Sequence, residues 1–417
     1  MMKKRFLIFL LILCISVCFI ILLQKEKEIK EYFEKENVEL AIYLNDEESS
    51  AIPLKDTGYI FDEEKSSCTN NANVSWDNES WSPVVENMSE YKTRCTLVFR
   101  DYYRVSVVDG DNTQVYESLL SEASTSITAN SDHTLLQCNQ GVELANNNGN
   151  ILVKNIQNDI TCQYYDSTVD AVSELDDSEN YFIYLKDEEV VNDIIINEDK
   201  ILTMDLSGHS INAEDAANTE ETGVIQNYGK LNLLSSSDTC GTLHSILAVV
   251  SSYESSRLVF KNIEVSSSTN TVHIWDTTDF SAYESRILSI DPSTASNSSS
   301  SLWLHGGNTT TKIFNSYIEG PYGIGGQGGK TLIDSSEIVG NSRTALQVNR
   351  NFYGDATIVG NSKLTGVLSG VHMYGGTLTL ESDENSLAPV IKGTNNRGIS
   401  LGTVQESVLN FYAGDIY

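Results

Sequence analysis

The chain has 417 residues, enough for two or three domains, and its 40% hydrophobic fraction can support a packed core. It carries 58 Asp and Glu against 27 Lys and Arg, a formal net charge of -31 at pH 7. A polyanion repels phosphate backbones, so the composition argues against nucleic acid as a partner. The sequence contains no packed oxygen-ligand loop of the calcium type and no zinc-type cysteine spacing. It therefore predicts neither a metal nor a cofactor.

The N-terminus has the pattern of a membrane anchor. Residues 1–5 (MMKKR) precede the uncharged run 6–23, which as a helix spans about 27 Å and can cross a bilayer. The basic cluster favours a cytoplasmic tail at 1–5. A cleaved signal peptide is the alternative, but no small-x-small site precedes Gln24. We expect a single-pass protein of the cell membrane with an extracellular C-terminal domain.

Three segments are expected between the anchor and the repeats. Residues 24–39 read as a charged helical stalk. Residues 40–105 and 106–165 then read as two small β modules, because strand-forming runs alternate with turn residues such as the NNNGN stretch.

Four cysteines bracket strand-rich stretches within these modules, Cys68 with Cys95 and Cys138 with Cys162. Outside the membrane such pairs favour disulfides, each worth roughly 3–4 kcal/mol by the chain-entropy model. Trp76 and Trp81 lie inside the first bracket. They either pack in the core of the module, which is the favoured reading, or stack on a sugar.

The two modules resemble a group of bacterial surface proteins. The stretches IPLKDTGYIFDEEKSSC, VSWDNESW and KTRCTLVF, followed by CNQGVEL and ILVKNIQNDITC, are similar to modules of membrane-anchored surface proteins of low-GC Gram-positive gut bacteria. This resemblance covers about residues 40–165. It implies a surface location and brings no activity with it.

Residues 166–417 carry a repeat. A branched apolar residue, usually with Gly or Ser two positions later, recurs at intervals of 20 to 28 residues. A period of this length, made of short strands and turns, predicts a solenoid. The phase residues are Leu243, Val265, Ile290, Ile318, Ile338, Leu364, Ile391 and Ile416.

The start of this region predicts a cap and a fold. In 166–200 the text TVDAVSEL predicts a short helix with Val169 and Val172 on one face, covering the open end of the solenoid. The texts LTMDLSGHSI and GVIQNYGKLNLLSSSDTCGTL resemble the opening coils of pectin-lyase-like proteins. That resemblance implies an all-β fold, a right-handed parallel β-helix. The text VLNFYAGDIY ends within a repeat, so we expect the β-helix to continue past residue 417.

Several polar residues share a phase in the repeat. Asn262, Asn315 and Asn361 each lie three positions before a phase residue, which predicts stacked Asn side chains at a turn. A polar binding row is the alternative. His273 and His372 share a phase but lie four coils apart, so we expect lone surface histidines that cannot share a metal.

The sequence gives little sign of the clustered acidic and basic residues that a polysaccharide lyase or hydrolase needs for catalysis. Arg343 between Asp334 and Asp355 is the best candidate set for catalysis, but the two carboxylates fall in different coils. Loop aromatic residues are the better candidates for ligand binding, because exposed rings on a rigid ladder can stack on sugars. These residues are Trp275, Trp303, Tyr322, Tyr353 and Tyr374.

We therefore expect a non-catalytic adhesin that binds a glycan or host surface. A lyase or hydrolase of acidic polysaccharide, and a structural spacer of the envelope, are the alternatives.

Overall fold

The computed structural model describes residues 38–55, 57–87, 92–139, 141–176, 179–213, 222–290, 299–350, 352–402 and 406–417. The predicted tail and anchor lie outside these ranges, as does the stalk apart from Val38 and Glu39. Within the described ranges, no helix is long and apolar enough to cross a membrane. The chain divides into two compact units. Of the described residues, the first unit contains those from 38 to 104 with Glu117–Ser124 and Ile156–Asp159, and the second contains the rest.

The first unit is a small β structure built around one long strand. Val38 and Glu39, predicted to end the helical stalk, lie instead in a strand that pairs in parallel with the long strand from Thr93 onward. Val38 is buried there, which a solvated helix would not provide. The strands are β1 (Val38–Leu44), β2 (Glu47–Ser49), β3 (Tyr59–Phe61), β4 (Ser67–Cys68), β5 (Asn73–Asp77), β6 (Ser82–Glu86) and β7 (Thr93–Asp109), followed by β8 (Asn112–Leu119), which, like β7, also contributes residues to the second unit.

The aromatic residues of the first unit form its core. The Trp76 ring lies 5.0 Å from the Phe99 ring and 5.2 Å from the Trp81 ring, centroid to centroid. The Trp81 indole N–H donates to the Pro53 carbonyl at 2.7 Å. Both tryptophans therefore serve packing, the favoured reading of the sequence, and neither presents a free platform for a sugar.

Both predicted disulfides are present. Cys68 is bonded to Cys95 and Cys138 to Cys162. Each joins residues directly opposite each other on antiparallel strands. These are β4 and β7 in the first unit, and the strands Leu135–Cys138 and Ile160–Tyr165 in the second. The cross-links therefore hold strand register as well as closing loops.

The second unit begins with short strands and one helix. These are β9 (Ser124–Thr128), β10 (Leu135–Cys138), β11 (Glu143–Asn147), β12 (Asn150–Lys154), β13 (Ile160–Tyr165) and α1 (Thr168–Ser173). Strand β10 pairs on one side with β13 and on the other with the first strand of the repeats, so the ladder runs without a break from the predicted second module into the repeats. Ala171, Val172 and Leu175 around α1 join the core of the repeats. Val169, predicted to share that face, is 38% exposed.

Within the described residues, the repeats form ten coils of short strands. Coil 1 is β14 (Asn180–Leu185), β15 (Glu189–Val191) and β16 (Ile194–Ile196); coil 2 is β17 (Ile201–Asp205), β18 (Ser210–Ala213) and β19 (Ile225–Asn227); coil 3 is β20 (Lys230–Leu234), β21 (Gly241–Ser245) and β22 (Val250–Ser252); coil 4 is β23 (Arg257–Lys261), β24 (Ile263–Ser267) and β25 (Val272–Ile274); coil 5 is β26 (Asp279–Tyr283), β27 (Arg286–Ser289) and β28 (Ser300–Leu304). Coil 6 is β29 (Thr310–Phe314), β30 (Tyr317–Gly320) and β31 (Tyr322–Gly326); coil 7 is β32 (Gly329–Asp334), β33 (Glu337–Gly340) and β34 (Thr344–Val348); coil 8 is β35 (Gly354–Val359), β36 (Lys363–Gly366) and β37 (Ser369–Met373); coil 9 is β38 (Gly376–Glu381), β39 (Val390–Gly393) and β40 (Arg397–Leu401); coil 10 is β41 (Ser407–Phe411) and β42 (Asp415–Ile416).

Each strand pairs in parallel with the equivalent strand of the next coil. The first strands of the coils therefore form one parallel sheet, the second strands another and the third strands a third, here called the first, second and third sheets. Side chains alternate between the inside of the coils and the outside. The inward residues form one continuous apolar core that extends from Leu135 to Ile391.

The predicted phase residues form one column of the second sheet, with one error. Leu243 lies opposite Val265, Val265 opposite Ile287, and Ile287 opposite Ile318, and the column continues through Ile338, Leu364 and Ile391 to Ile416. Ile287 is fully buried, whereas the predicted Ile290 is 53% exposed. Ile287 also has a serine two positions later, so the rule used to find the column applies to it as well.

The turn between the first and second sheets is also repeated. Asn262, Glu284, Asn315 and Ser335 each donate an amide hydrogen bond to the next coil, and all four adopt a left-handed conformation with φ between 48° and 54°. Asn tolerates this conformation better than most residues. The predicted Asn ladder is wrong, because Asn262 is followed in its column by Glu284, and Asn361 lies one position outside the column, after Gly360.

Candidate ligand-binding face

A column of aromatic rings follows the third sheet. The residue just after each third strand donates its amide to a carbonyl of the preceding coil, as Tyr228 does to Ile196 at 2.8 Å and Tyr253 to Asn227 at 2.8 Å. Trp275 and His305 continue this pattern in the next two coils. We call Tyr228, Tyr253, Trp275 and His305 the aromatic column.

The rings of the aromatic column stack on one another. Ring centroids are 4.4 Å apart between Tyr228 and Tyr253, 5.9 Å between Tyr253 and Trp275, and 3.8 Å between Trp275 and His305, with interplanar angles of 8°, 15° and 7°. The parallel ladder spaces equivalent residues about 4.8 Å apart, which is close to the stacking distance of rings. Because the inner rings cover each other, a ligand can reach a ring face only at an end of the column.

Two further aromatic side chains extend the column onto the outer surface of the third sheet. His273 is only 1% exposed, and its Nδ1 lies 2.7 Å from Nε2 of His305. Trp303 meets the His305 ring edge-on at 6.0 Å. The expectation of a lone surface histidine at His273 is therefore wrong. His305 directly follows the third strand of the next coil, whereas His273 lies within its own third strand. The repeat spacing in the sequence therefore did not bring the two together.

His305 is uncharged at neutral pH. Burial lowers the pKa of His305 to about 4, because desolvation disfavours the imidazolium form. One neutral ring can then donate its N–H to the other across the 2.7 Å contact. With so low a pKa, His305 stays unprotonated near pH 7 and is a poor general acid there. In the part of the chain that the structure describes, no group of three or more His, Cys, Asp or Glu residues has the geometry of a metal site.

The first ring of the column borders an open depression. A cavity of about 420 Å³ is lined by Tyr228 with Asn197, Glu198 and Asp199 from the preceding turn. Asn197 holds the column position before Tyr228, because Ile196 pairs with Asn227, and it carries no ring to stack on that face of Tyr228. A ring face beside carboxylate and amide oxygens is an arrangement that can hold a sugar, because the ring packs on C–H groups while the oxygens accept from hydroxyls.

The predicted aromatic residues do not form one site. Trp275 and Trp303 meet at His305. Tyr374 lies in the same column position three coils further on, beside His372 at 4.4 Å. Tyr322 begins β31, so it lies at the end of the third-sheet strands opposite the aromatic column. Tyr353 lies in a turn and is 58% exposed. The sequence reasoning missed Tyr228, Tyr253 and His305, although each directly follows a third strand.

The candidate catalytic residues lie apart. Asp334 ends β32, and Asp355 lies near the start of β35, opposite Lys330. Four residues of extended strand therefore separate their backbones by roughly 13 Å along the strand direction. Arg343 lies in the turn between the second and third sheets, where its amide donates to the Pro321 carbonyl. The Asp355 carboxylate instead accepts the Thr377 amide at 3.1 Å. These three residues form no lyase-like cluster.

Comparison with known proteins gives no relative: no protein-family model, curated protein or solved structure matches the chain.

Proposed function

We propose that this chain is a membrane-anchored bacterial surface protein that binds a glycan without catalysis. The observation that carries the proposal is the depression at the head of the aromatic column, where the face of Tyr228 adjoins Asn197, Glu198 and Asp199. The likeness of the repeats to pectin-lyase-like β-helices, and of the N-terminal modules to surface proteins of gut bacteria, supports the extracellular assignment.

The stacked column makes the Tyr228 platform rigid. Tyr228 packs at 4.4 Å on Tyr253, whose other face packs on Trp275, so the ring has little freedom to lose when a ligand binds. Preorganised rings contribute more to affinity than mobile ones, because less conformational entropy is lost. The parallel ladder of the coils supports all of these residues through backbone hydrogen bonds.

Charge narrows the class of glycan. The chain has a net charge of -31, and Glu198 and Asp199 line the depression itself. An acidic polysaccharide would be repelled both at long range and in the site. We therefore propose a neutral or amino-sugar-containing glycan as the ligand. The same charge repulsion argues against the alternative of an enzyme for acidic polysaccharides.

The test is a glycan array probed with the full chain in detergent micelles, followed by titration of the best neutral hit. Tyr228→Ala should weaken binding about tenfold, which corresponds to about 1.4 kcal/mol. Tyr283→Ala is the matched control, since Tyr283 is also a stacked, partly exposed tyrosine but lies on the first sheet.

Two results would contradict the proposal. One is equal binding by wild type and Tyr228→Ala; the other is selective binding of acidic glycans. A parallel reducing-end assay on the same glycans checks for hydrolysis. New chain ends that disappear in Arg343→Ala would favour the enzyme, and the absence of both binding and cleavage would favour a structural spacer.

A further inference from the structure

A second cavity, separate from the aromatic column, lies on the outer surface of the first sheet. It has a volume of about 610 Å³ and is bounded on one side by the hairpin of β11 and β12 and on the other by β17, β20 and β23. Both walls belong to the second unit. The hairpin contributes the cross-strand pair Glu143 and Lys154, whose opposite charges offset each other.

The sheet wall presents an acid, an apolar residue and a base in a row. Asp205, Leu234 and Lys261 are the last residues of three adjacent strands and lie in register, so they form a strip that we call the Asp–Leu–Lys strip. Two ladder spacings separate the backbones of Asp205 and Lys261, about 9–10 Å. Val259 lines the cavity beside the strip and adds to its apolar middle.

The acid of the strip is incompletely satisfied. Asp205 is 0% exposed, and its Oδ1 accepts the amides of Ser207 at 2.8 Å and Ser236 at 2.9 Å. Its Oδ2 is buried and accepts no hydrogen bond from any residue that the structure describes. Burial raises the pKa of Asp205 above its usual range, although hydrogen bonds from Ser236 and Ser207 oppose this. A buried carboxylate oxygen without a partner is costly, so a donor placed next to it would be strongly favoured.

The base of the strip is exposed and is not ion-paired to any residue that the structure describes. Lys261 therefore remains available to a ligand carboxylate at the end of the strip opposite Asp205.

We propose that this cavity binds a small aliphatic zwitterion, with its ammonium group at Asp205, its methylene chain along Leu234 and Val259, and its carboxylate at Lys261. The ammonium would satisfy Oδ2 and favour the ionised carboxyl. The methylene chain would remove the apolar middle of the strip from water. A ligand with only one of the two charges leaves one end of the strip unmatched.

The test uses the full chain in detergent micelles, with 6-aminohexanoate as probe and hexylamine and hexanoate as its two halves. Binding is measured by saturation-transfer NMR and by titration calorimetry. Wild type should bind 6-aminohexanoate at least about tenfold more tightly than either half. Asp205→Asn keeps an oxygen for the two amides and should weaken the binding of 6-aminohexanoate and hexylamine about tenfold. Lys261→Met should weaken 6-aminohexanoate but not hexylamine.

Asp334→Asn is the matched control, because Asp334 holds the same outer, last position in its strand in a later coil. It should bind like wild type. Absence of saturable 6-aminohexanoate binding to wild type, equal binding by Asp205→Asn, or hexanoate binding as tightly as the zwitterion would each overturn the proposal. None of these outcomes depends on the glycan site at Tyr228.

Discussion

The two units of this chain are stabilised in different ways. The first has a small core that includes the buried cluster of Ile42, Val74, Leu97 and Phe99. In the second, one apolar cluster runs from Leu135 through the successive coils to Ile391. A solenoid gains stability coil by coil from its neighbours, whereas a small unit depends on cross-links. Loss of its disulfide should therefore unfold the first unit as a whole, whereas loss of the disulfide in the second unit should leave most of that unit folded.

The largest effect is expected from a break in the continuous core. Phe260 and Phe280 are buried in adjacent coils, and their rings meet edge-to-face at 5.2 Å. Phe260→Ala should cost about 3–5 kcal/mol, because it removes this contact and leaves a cavity in a close-packed interior. Hydrogen exchange resolved by peptide should show the loss of protection centred on coils 4 and 5, with the first unit unchanged.

Phe314→Ala is the control for Phe260→Ala. Phe314 stacks on Tyr283 at 5.2 Å on the outer surface of the first sheet and is only partly buried. Its loss should cost less than about 1.5 kcal/mol. If both variants lose the same stability, or if protection falls across the whole chain in Phe260→Ala, the account of a locally coupled core is wrong.

Removing the two disulfides one at a time tests this difference between the two units. Cys68→Ser with Cys95→Ser should cost about 3.5 kcal/mol by the chain-entropy model, much of what a unit of that size possesses. Cys138→Ser with Cys162→Ser opens a loop of similar length and should cost about the same. We expect the first double variant to lose exchange protection throughout its unit. The second should leave coils 2 to 10 protected, and equal collapse of both units would contradict the comparison.

The sequence predicted the coils because the repeat is carried by inward residues. One branched apolar residue per coil is required wherever parallel strands share a dry interior, so Leu243, Val265 and Ile318 reveal the column directly. Ile287 was missed in favour of Ile290 because coil 5 carries a long connection between its second and third strands, and spacing alone cannot place such a connection.

The polar ladder of the turns was harder to predict. One serine per coil forms this ladder in four successive coils: Ser285, Ser316, Ser336 and Ser362. The amide of each of the first three donates to the hydroxyl of the serine in the next coil, at 3.1 to 3.4 Å. The sequence analysis assigned this role to asparagines. The signal was available, since these serines lie two positions before Ile287, Ile318, Ile338 and Leu364.

The binding face could be predicted only in part. Trp275 and Trp303 were chosen as loop aromatics, but the stack depends on Tyr228, Tyr253 and His305 lying in register. The register across a turn is set by backbone hydrogen bonds between coils, which sequence spacing does not show when the turns differ in length. The sequence analysis did not single out Asp205, because an unpartnered oxygen can be recognised only in three dimensions.

The smallest effect is expected from a charge network in the second unit. His133 Nδ1 lies 2.7 Å from Asp166 and its Nε2 3.0 Å from Asp109, while its ring stacks on Tyr164. Both contacts are hydrogen bonds only when both nitrogens carry a proton. The hydrogen bond to Asp166, more than the one to Asp109, raises the pKa of His133, and burial opposes this rise.

His133 should therefore make the stability of the second unit depend on pH. Because the folded pKa of His133 is raised, the stabilisation is complete below the pKa of histidine in the unfolded chain, about 6.5. It is lost as pH rises through the higher pKa of the folded state. His133→Gln should cost about 1 kcal/mol at pH 5.5, a modest value because the network is partly exposed, and almost nothing at pH 9. Urea unfolding at both pH values measures the difference. His209→Gln, at a histidine without an ion pair among the described residues, should show less than half of that change. A cost for His133→Gln that is constant with pH would mean that the imidazole contributes by packing on Tyr164 rather than by its charge.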